Sequence, residues 1–286
     1  MQKQLQSIIQ GQTTSDGVGV RIKRSLGQSQ RARFDPFLML DEFGSESADD
    51  YIGGFPSHPH RGFETVTYML EGHMLHEDHM GNKGHLKNGD VQWMTTGRGI
   101  IHSEMPQQAE GVMRGFQLWL NLPAAEKMKP PGYKDIPSSE IPVANLSNGG
   151  CIKVIAHTAI IDGKKVTGPI QGLTTDPIYW DVHLTLDAAF SHVIPATHNT
   201  FIYVYEGEVA IGDPDKEPRK LSAGNAGLLG EGDEINVVAI TQDTRFILLA
   251  GIPLNEPIAQ YGPFVMNTQE EVEQAIQDYR NGVLTD

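Results

Sequence analysis

The sequence predicts an all-β chain of two tandem β-barrels followed by one C-terminal helix. Three observations predict it. Gly (31) and Pro (17) are frequent in the 286 residues, which favours short strands joined by tight turns over long helices. Two series of β-type runs match each other. Phe63-Glu-Thr-Val-Thr-Tyr-Met-Leu-Glu-Gly72 lies over Asn199-Thr-Phe-Ile-Tyr-Val-Tyr-Glu-Gly207 on the shared Glu-Gly, as a duplicated unit of barrel size would. Near the end, Thr268-Gln-Glu-Glu271 has the spacing of a helix capping box.

Taken in order, residues 17–25 and 35–43 read as strands. From about residue 54 to 120 short β-type runs are cut by glycines: Phe63–Leu70, then Val91–Met94 after a Gly89-Asp90 turn, then Met113–Leu122. The stretch from Pro123 to Pro142 is rich in Pro, Lys and Ser, lacks β alternation and reads as a linker, with a helical turn near Ala124–Met128. A second β series runs from Ile152-Lys-Val-Ile155 to Phe246–Ala250. After the capping box, Val272, Ala275, Ile276 and Tyr279 form an apolar stripe, with Arg280 and Gly282 suited to a helix end. This is a packing helix.

Charge narrows the partners. With 22 basic and 36 acidic residues the chain carries −14, a field that repels phosphate backbones and argues against direct nucleic-acid binding. Cys151 is alone, so no internal disulfide forms, as in a reducing cytosol. It reads as a small buried hydrophobe. The N-terminus lacks the apolar core of a signal peptide, and no apolar run is long enough to span a bilayer, so a soluble, cytoplasmic protein is expected.

Two pairs carry the chemistry: His58-Pro59-His60 and His102-Ser103-Glu104. Residues i and i+2 of a strand share a face, so two such strands side by side would aim three imidazoles and a carboxylate at one point. That donor set suits divalent Fe, Mn, Co, Ni, Cu or Zn and excludes a soft thiolate site. A closed structural zinc site would use Cys and loop spacings instead. Any one of these histidines alone reads as a surface or core residue; two pairs beside glycine-rich turns favour a site. Glu64 shares the strand parity of His60 and is a rival fourth ligand, or an acceptor behind one. His73, His76, His79 and His85, with Glu77 and Asp78, follow the Gly72 turn and read as a solvated hairpin. His157, His183, His192 and His198 have no partner spacing and read as structural. The repeat makes the site asymmetric. By counting from the shared Gly landmarks, the places of His58, His60, Glu64, His102 and Glu104 fall on Val193, Pro195, Asn199, Val237 and Ala239. Only Asn199 is even a weak ligand. No phosphate loop and no nucleophile elbow is present, and Gly97-Arg98-Gly99 is too short for a dinucleotide fingerprint.

Gly53 through His58-Pro-His60, Glu64 and Gly72, then Gly89, Gly97 and His102, resemble the two motifs of the cupin superfamily, with Thr95 where the second motif usually has proline. The match to the pirin family is closer. Asp35-Pro-Phe-Leu-Met-Leu-Asp-Glu-Phe43, His58-Pro-His-Arg-Gly-Phe-Glu-Thr65, Gly89-Asp-Val-Gln-Trp-Met94 and Gly97-Arg-Gly-Ile-Ile-His-Ser-Glu-Met-Pro106 all look like pirin signatures. So do Gln117-Leu-Trp-Leu-Asn121 and Phe264-Val-Met-Asn-Thr268, so the resemblance covers almost the whole chain. It implies a bicupin: a metal-binding cupin domain over residues 1–135, and over residues 136–286 a cupin domain without metal ligands, ending in the helix. It implies His58, His60, His102 and Glu104 as ligands, Glu104 ahead of Glu64, and usually iron. It further implies quercetin 2,3-dioxygenase-like activity: a flavonol-like substrate opened by O2, with Glu104 taking the substrate's hydroxyl proton. The runner-up is a non-enzymatic metal- or redox-sensing module with a protein partner, because eukaryotic relatives act as nuclear transcriptional cofactors. The absence of Lys/Arg tracts weakens a nuclear role.

Overall fold

The computed structural model describes residues 1–29, 33–213 and 217–286. It is an all-β chain of two barrel-type units with one C-terminal α-helix, as predicted. Each unit pairs a seven-stranded with a four-stranded antiparallel sheet. In the unit holding His58, the large sheet runs Gly132–Ile136, Val91–Thr95, Phe63–Glu71, Met113–Asn121, Phe37–Ser45, Val20–Leu26, Gln12–Asp16. Its small sheet runs Phe55–His60, Ile100–Pro106, Met74–Asp78, Lys83–Leu86. Val20, Phe43, Met69 and Met113 from the first sheet pack with Met74 and Leu86 from the second in one buried cluster. Alternation explains the choice of residues: successive strand positions face opposite sides, so one parity fills the interior.

The other unit repeats the plan. Its large sheet runs Leu5–Gln10, Asn225–Leu229, Asn199–Glu206, Thr244–Gly251, Ile178–Leu184, Gly150–Ala156, Val143–Asn145, and its small sheet Ala189–Val193, Glu234–Ala239, Glu208–Ile211, Arg219–Ser222. Phe63–Glu71 and Asn199–Glu206 hold the same place in their sheets, which bears out the internal repeat. Val237 and Ala239 are fully buried in this unit's apolar core.

Two features depart from the sequence reading. The compact units are residues 12–138 with 254–286, and residues 1–11 with 139–253. The expected division after residue 135 falls near the crossover, but the two chain ends are exchanged. Leu5–Gln10 pairs with Asn225–Leu229, and the helix packs on Phe264–Met266. The stretch read as a linker supplies a sheet-edge strand, Gly132–Ile136, paired with Val91–Thr95, and its helical turns are Ala124–Glu126 and Ser138–Glu140. Edge strands need little alternation, so their pattern is weak.

The helix spans Gln269–Arg280. Thr268 accepts from the Glu271 amide and Glu271 reaches back to the Thr268 amide, completing the capping box. Val272 and Ala275 are buried. Ala275 packs with Phe264, Leu284 and Ile101, the last on the strand that carries His102. No helix among the described residues is long and apolar enough to cross a membrane.

Candidate metal centre

Antiparallel pairing of Phe55–His60 with Ile100–Pro106 sets His102 directly opposite His58 and Ile100 opposite His60. Odd–even alternation then turns His102 inward while Ile101 faces the helix cluster. The result is convergence. His58, His60 and His102 each offer a nitrogen, all within 4.8 Å of one another. Ring centroids are 4.7 Å (His58–His60), 4.4 Å (His58–His102) and 4.9 Å (His60–His102) apart.

The arrangement fits a metal ion on three counts. His58 Nε2 and His60 Nε2 are 3.0 Å apart, the spacing of two donors about 90° apart around an ion with bonds of roughly 2.1 Å. His102 Nε2 is buried without a hydrogen-bond partner, an expensive state unless something else uses its lone pair. Burial, reinforced by neighbouring histidines, pushes His60 and His102 well below the usual imidazole range, so both rings are neutral donors.

His76 is the residue that the sequence reading misplaced. Its place after the Gly72 turn predicts a solvated hairpin, but it is fully buried, and its Nδ1 lies 3.3 Å from His102 Nδ1. With His102 Nε2 left as a lone pair, His102 Nδ1–H donates to His76. The His76 Nε2 then faces Asp78 Oδ2 at 3.5 Å. Such a backing partner fixes the tautomer and tilt of a ligating histidine. The available signal was parity: His76 shares a face with Met74, which is also buried. Of the other hairpin histidines, His73 and His85 do form an exposed pair, Nε2 to Nδ1 at 2.9 Å. His79 Nδ1 accepts from the Ile101 amide.

The two glutamates separate. Glu104 is buried, lies across from His76 in the strand register, and accepts from the Thr67 hydroxyl at 3.0 Å. It stands outside the three-histidine group but lines the same cavity as His58 and His60. Glu64 accepts from the Thr95 hydroxyl at 2.7 Å and the Trp93 indole at 3.2 Å. Burial raises its affinity for a proton despite those bonds. It acts as a structural acceptor between strands. In the second unit, His183 pairs with Asp181 at 3.0 Å, an i, i+2 partnership that the sequence reading overlooked.

The cavity is about 620 Å³ and is walled by Leu38, Met39, Phe43, Phe55 and Trp119 beside the histidines. That volume suits a small molecule. The C-terminal segment holds its floor from behind. The Arg61 amide donates to Pro263 O at 3.2 Å and the Val265 amide to Arg61 O at 3.0 Å. The buried Arg61 guanidinium reaches Asp278 at 2.6 Å, Leu284 O at 3.1 Å and Arg98 O. Gly62 sits at φ +95°, where a Cβ would come within 2.0 Å of Val265 O. Only glycine fits there.

Comparison with known proteins agrees with this layout. The Pirin family profile matches residues 19–120, and the Pirin C-terminal cupin domain profile matches residues 179–285. A pirin-like protein of Caulobacter vibrioides is 47% identical over 275 residues, spanning 96% of each chain. Human pirin is 46% identical over 270 residues, 93% of this chain and 89% of its own. The crystal structure of a quercetin 2,3-dioxygenase from Acinetobacter baumannii superposes with a TM-score of 0.87 at 35% identity, covering 99% of both chains.

Proposed function

This chain belongs to the pirin family, and on that premise we propose that its His58-bearing unit is a metal-dependent dioxygenase site for a flavonol-like substrate. One observation carries the reading: three histidines converge, His102 with a buried nitrogen lacking a partner, and His58 and His60 line a cavity sized for a small molecule. His58, His60 and His102 would hold the ion, with Glu104 as the fourth donor. Iron(II) is the first choice; Mn, Co, Ni, Cu and Zn share the donor preference. A bound divalent ion would supply Lewis acidity, lowering the pKa of a substrate hydroxyl that sits beside a carbonyl.

The remaining work falls to the chain. Thr67 fixes one Glu104 oxygen and leaves the other to accept the substrate's hydroxyl proton. Leu38, Met39, Phe43 and Trp119 exclude water and offer flat apolar surface to an aromatic ring. His76 keeps His102 in the tautomer that leaves Nε2 a lone pair, the nitrogen that would hold the ion.

Protein loaded with Fe(II) under argon should consume O2 when mixed aerobically with quercetin, and His58→Ala or Glu104→Ala should not. Turnover retained in a metal-free double variant refutes the mechanism. Metal held at full stoichiometry without O2 uptake on any flavonol turns the reading toward a metal-sensing module.

A further inference from the structure

Besides His58 and His60, the cavity wall carries five acidic or basic side chains, Asp16, Arg24, Arg33, Asp41 and Glu104. Four are accounted for. Arg24 Nε and Nη2 donate to both oxygens of Asp41, at 2.8 and 2.7 Å, and Nη2 also reaches Asp16 at 3.0 Å. Glu104 is held by Thr67. Arg33 differs. Its Nη2 donates to the amide oxygen of Gln260, and among the described residues no carboxylate pairs with it. Burial lowers its affinity for protons, and no neighbouring acid offsets that. Gln260 is itself oriented, its Nε2 donating to Gly262 O at 3.1 Å. A positioned, half-buried guanidinium thus faces the cavity with most of its fork of donors still to be used.

We infer that Arg33 is an anion-binding subsite of this cavity, and that the substrate class is a planar oxygen chelator carrying a second, anionic arm such as a carboxylate. The inference rests on the reading of the histidines as the chelating end. The planar guanidinium matches a carboxylate with two parallel hydrogen bonds, which an amide cannot match. The chain's net −14 charge repels anions at a distance, so an anionic substrate needs a local cation inside the pocket, and Arg24 is already neutralised. Gln260 holds the fork without quenching its charge.

The test compares 3-hydroxyflavone with the same molecule bearing a 4′-carboxylate, titrated under argon into Fe(II)-loaded protein and followed by ligand fluorescence and absorbance. The carboxylate should bind about tenfold or more tightly than the neutral parent, the scale of one charge-assisted pair. Arg33→Gln should bring the ratio to about one and leave the parent's Kd unchanged; that unchanged Kd also certifies the fold. Arg33→Lys should keep part of the preference. Gln260→Glu, which places a carboxylate beside an intact Arg33, should abolish it. A wild-type protein without the preference, or a preference that survives Arg33→Gln, overturns the inference. If O2 uptake fails on every flavonol while the Arg33-dependent preference persists, the dioxygenase reading falls and the subsite stands. Turnover with equal kcat/KM for the two ligands does the reverse.

Discussion

Lys127 is 1% exposed, yet its ammonium is buried among three oxygens: Gly62 O at 2.7 Å, Asn121 Oδ1 at 2.7 Å and Val265 O at 3.0 Å. It ties the turn after His60 to the C-terminal segment. Burial, only partly offset by Glu256 and Glu271, pulls its pKa down from 10.5 to about 8. Below pH 8 both folded and unfolded chains keep the proton, and the folded state bears the full cost of enclosing a charge. Between pH 8 and 10.5 the folded state releases a proton that the unfolded chain retains, so stability rises with pH. A displacement of this size corresponds to about 3 kcal/mol. Lys127→Met removes the titration. At neutral pH the variant relieves the charge burial but abandons three oxygens, effects of similar size and opposite sign, so the pH slope is the diagnostic quantity.

The assay is urea unfolding of metal-free protein at pH 7.5, 9 and 10.5 in both forms. A Trp180→Phe background lets Trp93 and Trp119 report the unit that contains Lys127. The wild type should gain about 3 kcal/mol on the variant across that range. His183 titrates in an overlapping window with the opposite sign. Burial lowers it, but the bonds from Asp181 and Cys151 outweigh burial and raise it to about 9, so its stabilisation fades as pH climbs. That slope is common to both proteins and cancels. Parallel stability curves for wild type and variant would refute the reasoning.

Three further outcomes are expected. Arg61→Met leaves Asp278 and Leu284 O without their buried cation, costing about 3 kcal/mol of unfolding free energy; metal content after dialysis should drop with it, because Arg61 adjoins His60. Gly62→Ala forces a Cβ against Val265 O at φ +95° and should cost at least about 2 kcal/mol, read as a lower Tm. Thr268→Ala removes the helix cap and should cost about 1 kcal/mol, with metal content unchanged as measured by elemental analysis.

Strand parity made His58, His60 and His102 legible, because a two-residue repeat needs no knowledge of the partner strand. The helix was equally legible, since Thr268, Glu271 and the stripe from Val272 are local signals. What the sequence hid was long-range. His76 meets His102 only because Met74–Asp78 lies beside Ile100–Pro106, and nothing within residues 73–85 announces that neighbour. Glu64 and Glu104 carry the same chemistry in sequence, and the difference lies in who donates to them: Trp93 and Thr95 occupy one, Thr67 the other. The strands at Leu5–Gln10 and Gly132–Ile136 were unreadable for the same reason, each being an edge that acquires meaning from a partner far along the chain.

The exchange of chain ends has a bearing on biosynthesis. During synthesis the strand Leu5–Gln10 must wait for Asn225–Leu229 before it has a partner. The ligand-bearing unit, although begun by residue 12, is finished only when residues 254–286 arrive. The unit of residues 1–11 and 139–253 has all of its chain before residues 254–286 arrive, so the ligand-bearing unit is begun early and completed second; a fragment ending at residue 135 would carry an unpaired strand and lack the segment behind His60. A stop codon in place of residue 254 should therefore disable the histidine cluster without touching His58, His60 or His102.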